Sequence, residues 1–275
     1  MPGLGEYYVC GGGFLRPKVG IALSAGAARG LAHIGVLQVF VENKIPIDMI
    51  TGTSAGAIVG TLYAAGTDMY TLARMAQELN WNKLVNLTVP RLGLVSSEPI
   101  YELMKFLTRN LSFEALPIPA AVVATDIQTG EEVVIKSGNL ADGVRASMSI
   151  PGIFVPVELD GRLLVDGALV NRVPAHTCRE LGADIVIAVD VGLPPVGKKV
   201  KNLGNIIMRT IEILDRENAK FRPIDADVIV RPDLSNVTST QLNRAGEIIA
   251  AGREAAEASL REIQEILAGT NLQAK

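Results

Sequence analysis

The sequence predicts an α/β fold in which a parallel or mixed sheet is covered by helices. Short β-rich runs alternate with longer helical patterns along the chain, the signature of repeated strand–helix units. The 275 residues are 48% hydrophobic and 20% charged, a balance that supports a large buried core and argues against disorder. Aromatic residues are only 4%, so the core is expected to consist of Ala, Val, Ile and Leu. No internal repeat and no linker rich in Gly, Ser or Pro divides the chain. One domain over residues 19–275 is expected, with its motifs in 19–191, strand and helix elements in 192–275, and a flexible leader at 1–18.

The elements follow in order. Val19 to Leu23 is a first strand, and the small-residue turn "SAGAARG" (Ser24 to Gly30) comes after it. A helix is expected from Leu31 to Asn43, where Leu31, Ile34, Leu37, Phe40 and Val41 recur with helical spacing. Ile47 to Thr51 reads as a second strand and Ala55 to Ala65 as a second helix. From Asp68 to Asn110 the pattern is helical, interrupted at Pro90, Gly93 and Pro99. Its last part, Glu98 to Asn110, sets Ile100, Leu103, Met104 and Leu107 on one face, either as a helix packed on the core or as a cover over an apolar cleft. Ala120 to Thr125 is a buried strand, turning at Gln128–Glu131 into Val133 to Lys136. A second hairpin turns at Asp160-Gly161, between "FVPVEL" and "RLLVDG". Late strands at Asp184 to Val191 and Asp227 to Arg231 each lead into a helix, at Leu203 to Lys220 and Thr238 to Leu267. The last helix carries Leu242, Ile249, Ala256, Leu260, Ile263 and Leu267 on one stripe.

Composition also excludes several functions. A net charge of −3 with no basic, aromatic-interleaved stripe argues against nucleic acid as a partner. Two cysteines, Cys10 and Cys178, are too few for a disulfide framework or a zinc site, and no metal or other cofactor is expected. The residues before Cys10 lack a basic region and an apolar run, so a signal peptide is not expected. Met49 to Thr67 is uncharged and long enough to span a bilayer, but its four glycines and Thr-Ser pair fit a buried strand–turn–helix better. A soluble, cytoplasmic protein is the expectation.

The chemistry centres on "ITGTSAGAIVG". Gly52-Thr53-Ser54-Ala55-Gly56 is a G-x-S-x-G pentapeptide with a strand before it and a helix after it. In that context the serine rises to the tip of a sharp bend, with small Gly52 and Gly56 allowing strand and helix to approach. A serine nucleophile needs donors for the oxyanion, and the second tight turn, "SAGAARG", offers backbone N–H groups at Gly26, Ala27 and Ala28. A phosphate-binding loop is the rival, but the stretch lacks G-x-G-x-x-G and a Walker lysine. The base is the open question. His33 lies in the first turn of a helix; His176 begins another and offers a His-containing triad with Asp166; Asp166 itself ends an apolar strand in "LLVDGALVN", where an ordinary turn is the plain alternative.

Three separated elements, "SAGAARG" before "LAHIGVL", "GTSAG" and "DGALVN", together resemble the patatin-like phospholipases. "RASMSIPGIFVPV" and "AVVATDIQTGEE" are similar as well, and the likeness covers Val19 to Val191. The resemblance implies a three-layer α/β/α sandwich with a mostly parallel central sheet, and hydrolysis of fatty-acyl esters of lipids by a Ser-Asp dyad. Position by position, Ser54 matches the nucleophile and Asp166 the aspartate of the family's Asp-Gly-Ala/Gly motif. Arg29 matches a basic position beside Gly30, where it would orient a substrate anion or support the loop. A lipid or other acyl ester is the implied substrate, with transient contact to a membrane surface. One departure stands out: the family's oxyanion loop has glycine where this chain has Ala25 and Ala27, which strains the loop if either needs φ above zero. A family member with little turnover, acting as a regulator or adaptor, is the alternative that these alanines support.

Overall fold

The computed structural model describes residues 16–79, 86–87, 93–193 and 202–273. The expected leader falls almost wholly outside these residues, as do Cys10 and Pro90. The chain opens with β1 (Val19–Leu23), α1 (Ala32–Glu42), β2 (Met49–Thr53), α2 (Ala55–Ala64) and α3 (Met69–Glu78). Next come β3 (Asn86–Leu87), β4 (Gly93–Ser96), α4 (Glu98–Leu107), β5 (Ala120–Asp126), β6 (Glu132–Ile135) and α5 (Leu140–Ser147). The remaining elements are β7 (Gly152–Phe154), β8 (Val157–Leu159), β9 (Arg162–Asp166), α6 (Ala175–Glu180), β10 (Ile185–Val189), α7 (Leu203–Ala219), β11 (Val228–Val230) and α8 (Ala245–Gln273).

The fold is the expected α/β architecture. Strands β11, β10, β1, β2 and β5 run parallel in that order, and β6, β8 and β9 add antiparallel pairings at the β5 side. Side chains alternate across the sheet as period two requires. Val19, Ile21 and Leu23 join Ile185, Ile187 and Val189 in the large core beneath α1 and α8. Ala22, Val186 and Ala188 point the other way, into a smaller core with Ala175 and Cys178 of α6. That second layer packs tightly, since a Cβ at Gly20 would overlap Cys178 and Ala183. Burial pushes the Cys178 thiol up to about 12, making it an inert core residue. The α1–α8 contact is equally close: a Cβ on Gly35 would overlap the Ile249 carbonyl, and one on Gly252 the Ala32 carbonyl.

Three differences from the sequence expectation have physical causes. The second strand begins at Met49 rather than Ile47, because the Asp48 carboxylate accepts the Val19 N–H at 2.7 Å and pairs with Arg16, fixing residue 48 as a turn. Helix α5 escapes a pattern reading because Gly143 interrupts it. That glycine sits against the Phe113 ring, where a Cβ would lie 2.8 Å from Cε2, and Asn139 caps the helix by accepting the Ala141 N–H. Finally, the stretch read as interrupted helix contains β3 and β4, which pair with each other, and β4 pairs with β7 to complete a separate small sheet.

Candidate active site

Ser54 stands between β2 and α2 with φ 55 and ψ −116, in a sparsely populated region that a side chain occupies only when its surroundings hold it there. The glycines on either side make the bend possible. A Cβ on Gly52 would lie 2.5 Å from the Gly56 carbonyl oxygen, and one on Gly56 would overlap the Leu23 carbonyl of β1. The Ser54 N–H donates to Ser147 Oγ at 2.9 Å, and that hydroxyl donates to the Val123 carbonyl at 2.6 Å. Ser147, on α5, thus ties the bend to β5. It lies within the quoted "RASMSI" stretch, but only recognition of α5 as a helix aimed at the bend would have singled it out.

Strand register explains how Asp166 reaches Ser54. Val123 of β5 pairs with Thr53 at the end of β2, and the next residue, Ala124, pairs with Asp166 at the end of β9. Both β5 residues also pair with β6 on their other side. Strands β2 and β9 therefore share one edge of β5 and run toward each other. Their carboxyl ends meet, one leading into Ser54 and the other ending in Asp166.

The Asp166 backbone is fixed by its N–H to the Ser149 carbonyl at 2.9 Å and by the Thr125 hydroxyl, which donates to its carbonyl at 3.0 Å. Its side-chain Oδ1 accepts the Ala168 N–H at 2.9 Å, and the carboxyl is hydrogen-bonded to the Ser54 side chain. Burial raises its pKa to about 6, against the lowering effect of those two hydrogen bonds; the nearby Asp215 charge adds to the rise.

The "SAGAARG" turn lies across a narrow cleft from this pair, and Gly26, Ala27, Ser54 and Asp166 all line it. The Ala25 N–H donates to the Arg172 carbonyl at 2.9 Å and the Ala28 N–H to the Ser239 carbonyl at 3.1 Å. Gly26 and Ala27 amides have no acceptor among the described residues. Of the three amides expected to hold the oxyanion, that of Ala28 is engaged with Ser239 and Ala28 does not line the cleft, whereas Gly26 and Ala27 do. Ala27 has φ 48, in the left-handed region, whereas Ala25 does not. An alanine there costs roughly 1–2 kcal/mol, so the strain foreseen for the turn is real at one of its two alanines.

Arg29 does not face the cleft. Its buried guanidinium turns inward, donating from Nε to the Val191 carbonyl at 3.0 Å and from Nη2 to the same oxygen. Burial lowers its pKa to about 10. Of its two expected roles, loop support fits this placement and contact with a substrate anion does not. Gly30 lets the turn approach α2, since a Cβ would overlap that of Ala55.

Neither histidine reaches Ser54. His33 is fully buried, with Nε2 at 2.8 Å from the Ser24 carbonyl and Nδ1 without a partner among the described residues. Burial lowers its pKa to about 4, so it stays neutral. His176 is 72% exposed on α6, between Glu180 and Asp225, and lines a neighbouring cavity rather than the Ser54 cleft. A triad through His176 does not fit this geometry.

The cleft opens at the carboxyl ends of β1 and β2, where open α/β sheets bind ligands. Its volume is about 70 Å³, and its walls include Ile150, Pro151, Leu169, Met208 and Ile211. The apolar cover thus comes from α7, and α4 contributes no residue to it. A charged cluster that the sequence reading missed adjoins the cleft. Arg172 Nη2 pairs with Asp190 at 2.8 Å and its Nε lies 3.5 Å from Asp215, whose carboxyl is raised by burial to about 6. Asp190 had a legible signal, an acid ending the apolar run "IVIAV" much as Asp166 ends "LLV". Among the described residues, no group of three or more His, Cys, Asp or Glu side chains is arranged to hold a metal ion, and no helix is long and apolar enough to cross a membrane.

An α/β sheet with a strained serine at the end of one strand and a buried aspartate at the end of an opposing one marks out a class of hydrolase-like folds. The chain belongs to the patatin-like phospholipase family, whose family model matches residues 21–179. An uncharacterized NTE family protein of Mycobacterium tuberculosis is 38% identical over 178 residues, covering 64% of this chain and 49% of the relative. A second, from Mycobacterium bovis, is 30% identical over 273 residues, covering 89% of this chain and 46% of that protein. The neuropathy target esterase sws of Drosophila melanogaster is 36% identical over 185 residues, 64% of this chain but 13% of the esterase. The match thus spans about half the length of the mycobacterial relatives. Among solved structures, VipD from Legionella pneumophila shares the fold with a TM-score of 0.55 at 14% identity, covering 90% of this chain and 67% of VipD. ExoU of Pseudomonas aeruginosa, in complex with SpcU, gives 0.54 at 14% identity, covering 90% and 53%.

Proposed function

We propose that this chain is a serine acyl hydrolase that cleaves fatty-acyl esters of lipids, with Ser54 as nucleophile and Asp166 as its base. The observation that carries the assignment is the end-to-end meeting of β2 and β9, which hydrogen-bonds the Ser54 side chain to a buried carboxylate. Family membership supports the lipid substrate. Ser54 Oγ attacks the ester carbonyl carbon as its proton passes to Asp166, and the carbonyl oxygen takes up negative charge opposite the Gly26 and Ala27 amides. As the tetrahedral intermediate collapses, the C–O bond to the alcohol breaks and Asp166 returns the proton to the leaving oxygen. Water then attacks the acyl-enzyme with Asp166 again accepting its proton, and the fatty acid departs as Ser54 is restored. No step calls for a metal or another cofactor. Contact with the lipid surface is transient and a cytoplasmic location goes with this assignment.

A fluorophosphonate probe with peptide mapping tests it. Ser54 is expected to carry the label, and Ser54→Ala and Asp166→Asn are each expected to abolish ester turnover. An unlabelled Ser54 in folded protein would instead favour the low-turnover adaptor, the reading that the strained Ala27 leaves standing.

A further inference from the structure

A second cavity opens off the Ser54 cleft. Its volume is about 420 Å³, within the roughly 300–1,000 Å³ that small-molecule sites span. Ala168, Leu169, Arg172 and Asp215 line both spaces, so the cavity begins at the turn that follows Asp166. The two spaces differ in character. Apolar side chains make up much of the cleft, whereas four carboxylates, three guanidiniums and His176 line the cavity. An ester held at Ser54 divides in the same way, into an apolar acyl chain and a polar alcohol.

The shared wall holds polar groups whose hydrogen-bonding capacity is unused. The Asp215 side chain is 16% exposed, its ion pair with Arg172 is loose at 3.5 Å from Nε, and it accepts no hydrogen bond among the described residues. Arg172 is 10% exposed, with Nη2 on Asp190 at 2.8 Å and Nη1 buried without a partner among the described residues. A buried carboxylate in need of donors thus stands beside a guanidinium with a donor to spare, and each asks something different of an occupant. A phosphodiester brings acceptors alone and would meet Asp190 and Asp215 as like charges. An ammonium brings donors alone and leaves Arg172 unmet. Hydroxyls both donate and accept. With four carboxylates to three guanidiniums and one histidine, the walls also carry no positive excess to draw an anion in.

We infer that this cavity is the alcohol subsite of the Ser54 centre and that it takes an uncharged polyol, glycerol or a sugar, selected by Asp215 and Arg172. This rests on the acyl-hydrolase assignment and names the head group that the assignment leaves open: the substrates are acyl esters of a neutral polyol rather than of a phosphate-bearing alcohol.

Calorimetric binding of hexyl ethers, which cannot be hydrolysed as esters, tests it without turnover. At least one of 1-O-hexylglycerol and hexyl glucoside is expected to bind wild-type protein about ten-fold or more tightly than hexanol, the worth of one hydrogen bond to a charged group. The tighter of the two identifies the polyol. Asp215→Ala is expected to erase that advantage, as is Ala219→Trp, which fills the cavity from α7. In turnover, kcat/KM for the butyrate ester of that polyol is expected to exceed that for ethyl butyrate by about ten-fold or more in wild type, and the ratio to fall toward one in both variants. Taking the ratio within each protein removes any general loss of activity. Hexanol binding as tightly as both polyol ethers would overturn the inference, as would tighter binding of hexyl phosphate or an advantage that survives both variants. If a polyol ether binds as expected but no ester is cleaved, the subsite stands and the acyl-hydrolase assignment falls.

Discussion

Replacing Asp166 by Asn should stabilise the fold at neutral pH while removing activity. The native carboxyl has its pKa raised by burial from 3.8 to about 6. A carboxyl with a raised native pKa binds its proton more tightly folded than unfolded. Its favourable contribution is complete below pH 3.8, declines as pH rises through about 6, and is gone above that. A shift of about two units corresponds to about 3 kcal/mol. Asparagine can still accept the Ala168 N–H and can donate to Ser54, so it carries no charge to bury and leaves no donor stranded. The stability of the variant relative to wild type should therefore rise by about 3 kcal/mol between pH 3 and pH 7.5, as read from urea unfolding at a series of pH values. Groups that titrate in both proteins without interacting with Asp166 cancel in the difference; Asp215, whose charge adds to the Asp166 shift, contributes a smaller term of the same origin. A difference that stays flat with pH would refute the buried-anion account, even if the variant proved inactive. On the same account, wild-type kcat/KM for a soluble ester should fall as pH drops through about 6, because the protonated carboxyl cannot accept the serine proton.

Three further outcomes follow from the geometry. Ser147→Ala strands the Ser54 N–H in a buried site and should cost about 1–3 kcal/mol in thermal melts, together with slower fluorophosphonate labelling of Ser54. Labelling at the wild-type rate would show that α5 does not set the bend. Ala27→Gly relieves the left-handed alanine but loosens the unfolded chain, for a net gain of roughly 0.5–1 kcal/mol in the urea midpoint with activity retained; a loss of stability would contradict the strain at φ 48. His176→Ala should leave kcat/KM and its pH profile unchanged, since that exposed imidazole lies outside the cleft.

The strands were legible because period two and apolar runs survive in the sequence without help from elsewhere. Val19–Leu23 and the Asp160-Gly161 hairpin are read directly, and the latter shows φ of 50 and 74 at its two turn residues. Ser54 announced itself through Gly52 and Gly56, whose small size is a local requirement of the bend. What stayed hidden depends on distant contacts. The Ala28 amide looks free in sequence, and only the packing of Ser239 against the turn engages it. The sequence leaves Arg29 between a substrate contact and loop support, and only the Val191 and Val237 carbonyls, which it meets in the interior, decide for the second. Glu98 to Asn110 reads as a helix on the core or a cover over the cleft, and the pattern of α7 is amphipathic too; only the chain path shows that α7 is the one brought to the site.

On the proposed mechanism Asp166 takes the part that a histidine would otherwise play. Locally, Asp-Gly is an ordinary turn; its significance arises only when β9 runs antiparallel to β5 and stops where β2 stops. An exposed aspartate near pKa 3.9 would face serine across roughly nine to ten units, on the order of 13 kcal/mol for full proton transfer. Burial beside Ser149, Thr125 and the β5 backbone raises the carboxyl to about 6 and closes about two of those units, about 3 kcal/mol. That is the same quantity by which the ionised carboxylate weakens the fold at neutral pH, because native-state cost and basicity are two readings of one pKa shift. On the proposed mechanism the rest of the barrier would fall to stabilisation of the oxyanion by the Gly26 and Ala27 amides, and both residues line the cleft that Ser54 and Asp166 share.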